Sequence, residues 1–153
     1  MRRGCLTMGN NSRGETGTVE RFLDSTLESV DSAEELALEE AEKAGVAEDD
    51  RHKIAMAVRE SMVNAVVHGN RYNAHKKVRL SVSKGSREFV VKIADEGDGF
   101  DYENLPDPLA RENLLRHSGR GIFLIKAFMD EFRVRRLEPA GTEVTLVKYL
   151  VSK

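Results

Sequence analysis

The stretch Arg59-Glu60-Ser61-Met62-Val63-Asn64-Ala65-Val66-Val67-His68-Gly69-Asn70 constrains the fold of this chain more than any other. At about 3.6 residues per turn, its apolar members occupy nearly every side of a helix, so the helix belongs in an interior rather than on a surface. Two polar residues interrupt it. Glu60 and Asn64 lie four positions apart and so project from one face, one turn above the other. A buried glutamate is costly unless something partners it. Taken alone, the pair reads as the wet edge of an ordinary amphipathic helix.

With 153 residues the chain can bury a real core without disulfides or a structural metal. Charged residues make up 33% and nearly balance at a formal net charge of -2, so the overall basic field of a nucleic-acid binder is missing. The only cysteine, Cys5, rules out an intramolecular disulfide and fits a reducing cytoplasm. No apolar run approaches the ~20 residues of a membrane span, and no apolar region follows Arg2 and Arg3 to make a secretory signal. The expected location is the cytoplasm.

Residues 1–17 are polar and aperiodic and read as a disordered leader; residues 18–153 read as one domain. A first strand is expected over Thr18 to Leu27. Ser32-Ala33-Glu34-Glu35 has the form of a capping box opening a first helix that ends at Gly45. Acidic Glu48, Asp49 and Asp50 open the next helix, which carries the apolar stretch and closes at Gly69. Alternation over Val78-Leu80-Val82, a turn at Lys84-Gly85-Ser86, and Phe89 to Ala94 predict a hairpin. Residues 95–118 form a loop long enough to act as a lid. Gly119-Arg120-Gly121 opens a last helix, and two strands follow, over Phe132 to Leu137 and Thr142 to Val151.

Two further stretches can hold a ligand. Asp95-Glu96-Gly97-Asp98-Gly99 follows a strand, and a carboxylate there, with glycines beyond it, lets a flat molecule lie on the backbone while donating hydrogen bonds to the acid. An acidic turn has the same composition. Gly119-Arg120-Gly121-Ile122 stands at a helix N-terminus, where free N–H groups and the dipole favour a phosphate, although a plain loop-to-helix junction also uses such residues. EF-hand, Walker and Rossmann patterns all fail. The four histidines show no metal-ligand spacing, and without a Gly-x-Ser-x-Gly motif Ser61 reads as a packing residue.

The order of these signals is more specific than any one of them. Glu-x-x-x-Asn on a helix, a strand running into Asp-x-Gly-x-Gly, a lid, Gly-x-Gly at a helix start and a strand pair with Gly141-Thr142 together resemble the GHKL ATP-binding superfamily. Glu60 to Asn70, Asp95 to Asp101 and Ser118 to Glu131 are similar to the bacterial anti-sigma-factor serine/threonine kinases. The resemblance implies a two-layer α/β sandwich, a mixed, mainly antiparallel sheet with helices on one face. It also implies ATP and Mg2+ as ligands, with Glu60 as general base and Asn64 as the magnesium-binding amide. By the same resemblance Asp95 accepts from the adenine amino group, Gly97 and Gly99 form the turn beside it, and Thr142 supports the adenine. Gly119 and Gly121 would meet phosphate, with Arg116, His117 and Arg120 as the cations near the terminal phosphoryl group. The implied partners are a sigma factor and a small antagonist protein, with no nucleic acid or membrane, and a homodimer is implied on the same ground. The lid is short for the superfamily and no phosphoacceptor-histidine helix pair precedes the domain, which sets the chain apart from histidine kinases. The expected activity is thus serine/threonine phosphotransfer, with a nucleotide-holding module that transfers nothing, or a histidine-kinase-like catalytic domain, as the alternatives.

Overall fold

The computed structural model describes residues 17–98 and 117–150, with the backbone alone at 117–120. In chain order these form β1 (Gly17–Asp24), α1 (Leu27–Lys43), α2 (Glu48–Val63) with a π-helical continuation (Asn64–Gly69), β2 (Lys77–Lys84), β3 (Glu88–Ala94), α3 (His117–Phe128), β4 (Glu131–Arg136) and β5 (Thr142–Tyr149).

The strands lie in one sheet in the order β1-β2-β3-β5-β4, and all four ladders are antiparallel. Register places Leu80 opposite Ile93, Val82 opposite Val91, Val91 opposite Leu146 and Ile93 opposite Val144. Directly opposed residues share a face, so these side chains make one continuous apolar surface. Against it lie Ile54, Val58, Met62 and Val66 of α2 and its extension, all fully buried. Each such side chain contributes about 1.5–3 kcal/mol by leaving water. Fully buried Ala33, Ala37 and Ala41 recur every four residues along α1, and their small size lets α1 come close to α2. The resulting two-layer sandwich, helices on one face, is the architecture the sequence implied. On the opposite face Glu143 of β5 accepts from Arg79 at 3.3 Å and Arg135 at 2.9 Å.

Helix entry departs from expectation twice. α1 begins at Leu27, not at the Ser32 box: Thr26 has extended backbone and its side chain accepts from the Ser29 N–H at 3.3 Å. Ser32 lies inside the helix and donates back to the Glu28 carbonyl, the alternative bond open to any helical serine. β1 accordingly stops at Asp24, short of the strand expected to reach Leu27. α3 starts at His117, two residues before the expected opening at Gly119, so Gly119 and Gly121 fall within its first turns. The expected leader lies outside the described residues except for Gly17, which opens β1, and the lid lies outside them at 99–116.

One buried charge closes the end of the core remote from the glycine-rich turns. Glu40 of α1 pairs with Lys84 of β2 at 2.8 Å and with Lys43 at 3.4 Å. Burial pushes its carboxyl up, but the two ammonium groups outweigh this and hold it below the ordinary 4.5. A depressed folded-state pKa stabilises the fold above the unfolded value and loses that contribution as pH falls through the folded one. The melting temperature of Glu40→Gln should therefore sit below that of the parent by a constant margin above pH 4.5 and converge with it in more acidic buffer. Thermal melts on both sides of that pH check this; a margin independent of pH would contradict it.

Candidate functional site

The central helix carries Glu60 and Asn64 on its interior, 6% and 1% exposed. α-Helical pairing ends at Asn64, whose N–H is shared between the carbonyls of Glu60 and Ser61. From there the helix widens, and the Asn70 N–H reaches the Ala65 carbonyl, five residues back, at 2.8 Å. Such π-turns recur at functional sites because they re-aim side chains within an otherwise regular helix. Both polar atoms of the Asn64 amide are buried, and neither has a hydrogen-bond partner among the described residues; Ser61 Oγ and Thr142 Oγ1 share that condition. An unmade bond of this kind costs about 1–3 kcal/mol per group. The Asn64 amide thus suits a ligand that supplies what the fold withholds. No group of three or more His, Cys, Asp or Glu that could hold a metal occurs among the described residues. A cation here would draw on an amide oxygen and on non-protein oxygens, a donor set that magnesium accepts.

Asp95 directly follows β3, 5% exposed, and the described residues of the turn are tied down. The Asp95 N–H donates to the Thr142 carbonyl at 3.0 Å, and the Glu96 N–H to Asn70 Oδ1 at 2.8 Å. The Gly97 N–H bonds Asp95 Oδ1 at 2.9 Å, and the Arg136 guanidinium donates to the Asp98 carbonyl at 2.8 Å. Burial raises the Asp95 carboxyl above the usual range, against the opposing pull of the Gly97 and Thr142 N–H groups and of Arg136 and Lys76. Space explains the glycines. A Cβ on Gly97 would strike the Gly69 carbonyl, and one on Gly69 would strike the Asp95 carboxylate. Gly141, with φ +116, packs against the Asp95 carbonyl in a conformation L side chains rarely adopt.

At the other end, a Cβ on Gly121 would stand 2.6 Å from Glu60 Oε1. The carboxylate therefore lies over the first turns of α3, where Gly119 is among the residues whose N–H groups have no partner within the helix. From Glu60 to Gly69 the helix advances on the order of 12 Å. That length separates the Asp95 end of the helix from the Glu60 end, beside α3. The structure thus brings Glu60 to Gly121, and Asp95 to Gly97 and Thr142, with Asn64 on the helix between them. Gly99 and Arg116 lie outside the described residues, as do the side chains of His117 and Arg120.

Gly69, Asn70 and Gly141 stand within the sequence motifs, but sequence reasoning gives none of them a role at this site. Asn70 is 2% exposed, and its Nδ2 donates to Ser25 Oγ at 2.9 Å and to the Lys77 carbonyl at 3.1 Å. An asparagine after a helix-ending glycine reads as a cap, and its partners 26 and 45 positions away leave no local signal.

Residues 23–148 match the family described as Histidine kinase-like ATPase domain. The chain is 32% identical over 115 residues to the serine-protein kinase RsbW of Staphylococcus epidermidis, covering 71% of each. It is 33% identical over 104 residues to the anti-sigma F factor of Bacillus velezensis, covering 67% of this chain and 71% of that one. The crystal structure of the RsbU and RsbW domains of a Mycobacterium tuberculosis protein superposes with TM-score 0.59 at 18% identity, over 87% of this chain and 32% of that longer one, and so shares the fold. With both the family match and relatives of this similarity spanning the domain that holds Glu60, Asn64 and Asp95, the chain belongs to the histidine kinase-like ATPase family, alongside the RsbW serine-protein kinases.

Proposed function

We propose that this chain is an anti-sigma-factor kinase that transfers the γ-phosphoryl group of ATP to a serine or threonine hydroxyl of a small antagonist protein and that sequesters a sigma factor. The observation that favours it is the buried pair on the central helix, a carboxylate over the start of α3 with, one turn on, an amide that has no hydrogen-bond partner among the described residues. The names of the similar RsbW kinases and anti-sigma F factor point the same way. Cytoplasmic location and a homodimer belong to the same proposal; no described helix is long and apolar enough to cross a membrane.

In this reading Asp95 accepts from the adenine amino group, Gly97 and Gly99 leave room for the ring, and Thr142 Oγ1 meets it from the side. Gly119, Gly121, Arg116, His117 and Arg120 surround the phosphates. Asn64 Oδ1 would hold Mg2+, which when bound offsets phosphate charge. Glu60 takes the proton of the attacking hydroxyl as the new oxygen–phosphorus bond forms; the bond from the γ-phosphorus to its bridging oxygen breaks, and ADP departs with that electron pair.

Replacing Asp95 by Asn puts a donor where an acceptor is needed. ATP affinity should fall by about 1–3 kcal/mol, while GTP affinity changes less. Melting-temperature shifts with each nucleotide measure both, since a ligand of the native state alone raises stability. Equal shifts from ATP and GTP in the unaltered protein would defeat the assignment of Asp95.

Binding and chemistry separate at Glu60. Glu60→Ala should keep nucleotide affinity nearly unchanged and slow transfer of radiolabel from ATP to an antagonist protein by roughly 10²- to 10⁴-fold. Asn64→Ala should weaken both. Loss of ATP binding in Glu60→Ala would show that the carboxylate has a structural role instead.

A further inference from the structure

The turn that presents Asp95 is fastened to the rest of the molecule through one buried side chain that neither touches the proposed nucleotide nor resembles a catalytic group. Asn70 uses its whole amide. Its oxygen accepts from the Glu96 N–H at 2.8 Å, and its nitrogen donates to Ser25 Oγ at 2.9 Å and to the Lys77 carbonyl at 3.1 Å. Ser25 in turn donates to the Lys76 carbonyl at 2.6 Å, and the Lys77 N–H donates to the Glu96 side chain at 2.6 Å. Four segments therefore converge on one residue: the end of the π-helical segment, the β1–α1 junction, the start of β2 and the turn after β3.

The backbone around Asn70 indicates that this convergence is enforced. Arg71 and Tyr72, directly after it, both adopt positive φ, at 52° and 60°. Two consecutive non-glycine residues in that region persist only where surrounding contacts over-determine them. Immediately before it, Gly69 is in such close approach to Asp95 and Gly97 that no side chain fits on either glycine. Asn70 therefore joins the helix end to the turn that presents Asp95.

We propose that Asn70 is a positioning residue for base selection: by fixing the Glu96 N–H, it sets the direction in which Asp95 presents its acceptor and so the preference for adenine over guanine. The proposal rests on the reading of Asp95 as the adenine acceptor. Glu96 follows Asp95 directly, so releasing its N–H frees the peptide that joins them to rotate, and a carboxylate that can turn away discriminates less between an amino group and a carbonyl. A purely structural asparagine would affect stability and leave the preference intact.

The experiment measures ATP and GTP affinities, at one magnesium concentration and pH 8, for the parent protein, Asn70→Ala, Asn70→Asp and Ser25→Ala. Asn70→Ala should lower the ATP-over-GTP ratio by about tenfold, the worth of one buried hydrogen bond. Ser25→Ala removes a bond on the far side of the same hub, and Asn70→Asp keeps the oxygen that accepts from Glu96; both should melt earlier yet hold the ratio within about threefold of the parent. A folded Asn70→Ala protein with the parental ratio overturns the proposal, as does an equal loss in Ser25→Ala. If Asn70→Ala does not fold, Asn70→Asp and hydrogen exchange decide: the Glu96 amide of the nucleotide-free parent should be protected, and exchange at the rate of an open loop, or a lost ratio in Asn70→Asp, overturns it. Absence of any ATP-over-GTP preference in the parent would instead defeat the assignment of Asp95, while protection of the Glu96 amide would still report on the anchor.

Discussion

Backbone meets backbone, without an intervening side chain, where the end of the central helix reaches the turn after β3. Gly69 and Gly97 allow this approach, and the site at that end depends on it. The contact brings Asp95 over the helix end and leaves its carboxylate buried, and it lets Asn70 capture the Glu96 N–H. Gly141 completes the seating from β5, against the Asp95 carbonyl. Because each glycine is opposed by rigid backbone or by a constrained carboxylate, little can yield. A methyl group at Gly97 would therefore cost far more than its own volume.

The candidate site and the far end of the core treat their buried polar groups differently. Glu40 and Lys148, the other buried charges beside the helices, have compensating partners within the fold, Lys84 for the first and the Phe128 carbonyl for the second. Among the described residues, the Asn64 amide and Thr142 hydroxyl have no hydrogen-bond partner. Unmade bonds of this kind lower stability and leave bonding capacity that a ligand can use. Asp95 shows the same tension differently: burial disfavours its charge, and the neighbouring N–H groups and cations restore only part of it.

The legible elements were those whose information is local. Alternation over Val78 to Val82 and Phe89 to Ile93 was enough for the hairpin, and the apolar run after Arg59 was enough for the buried helix, since both patterns repeat within a few residues. Glu60 and Asn64 stood out because a four-residue spacing is itself a geometric statement. The start of α1 was misplaced because Thr26 and Ser32 are both competent caps, and the choice between them is made by how the strand before them ends. Asn70 was invisible since its partners, Ser25, Lys77 and Glu96, come from three other parts of the chain. The π-helical segment was equally hidden: Ala65, Val66 and Val67 suit an α-helix as well, and only tertiary packing selects the wider turn.

That wider turn reverses a common expectation about shortening a protein. Deleting one residue from a buried helix ordinarily swings everything beyond it by about 100° and ruins the packing. Here a single deletion within Asn64–Gly69 would instead let the helix relax into regular α pairing. The product would be a smoother helix whose terminal glycine and asparagine no longer arrive opposite β3. Under the proposed function, folding competence and nucleotide recognition would thus be encoded by different features of the same six residues, so that losing one of them keeps the architecture as a scaffold while abandoning the nucleotide.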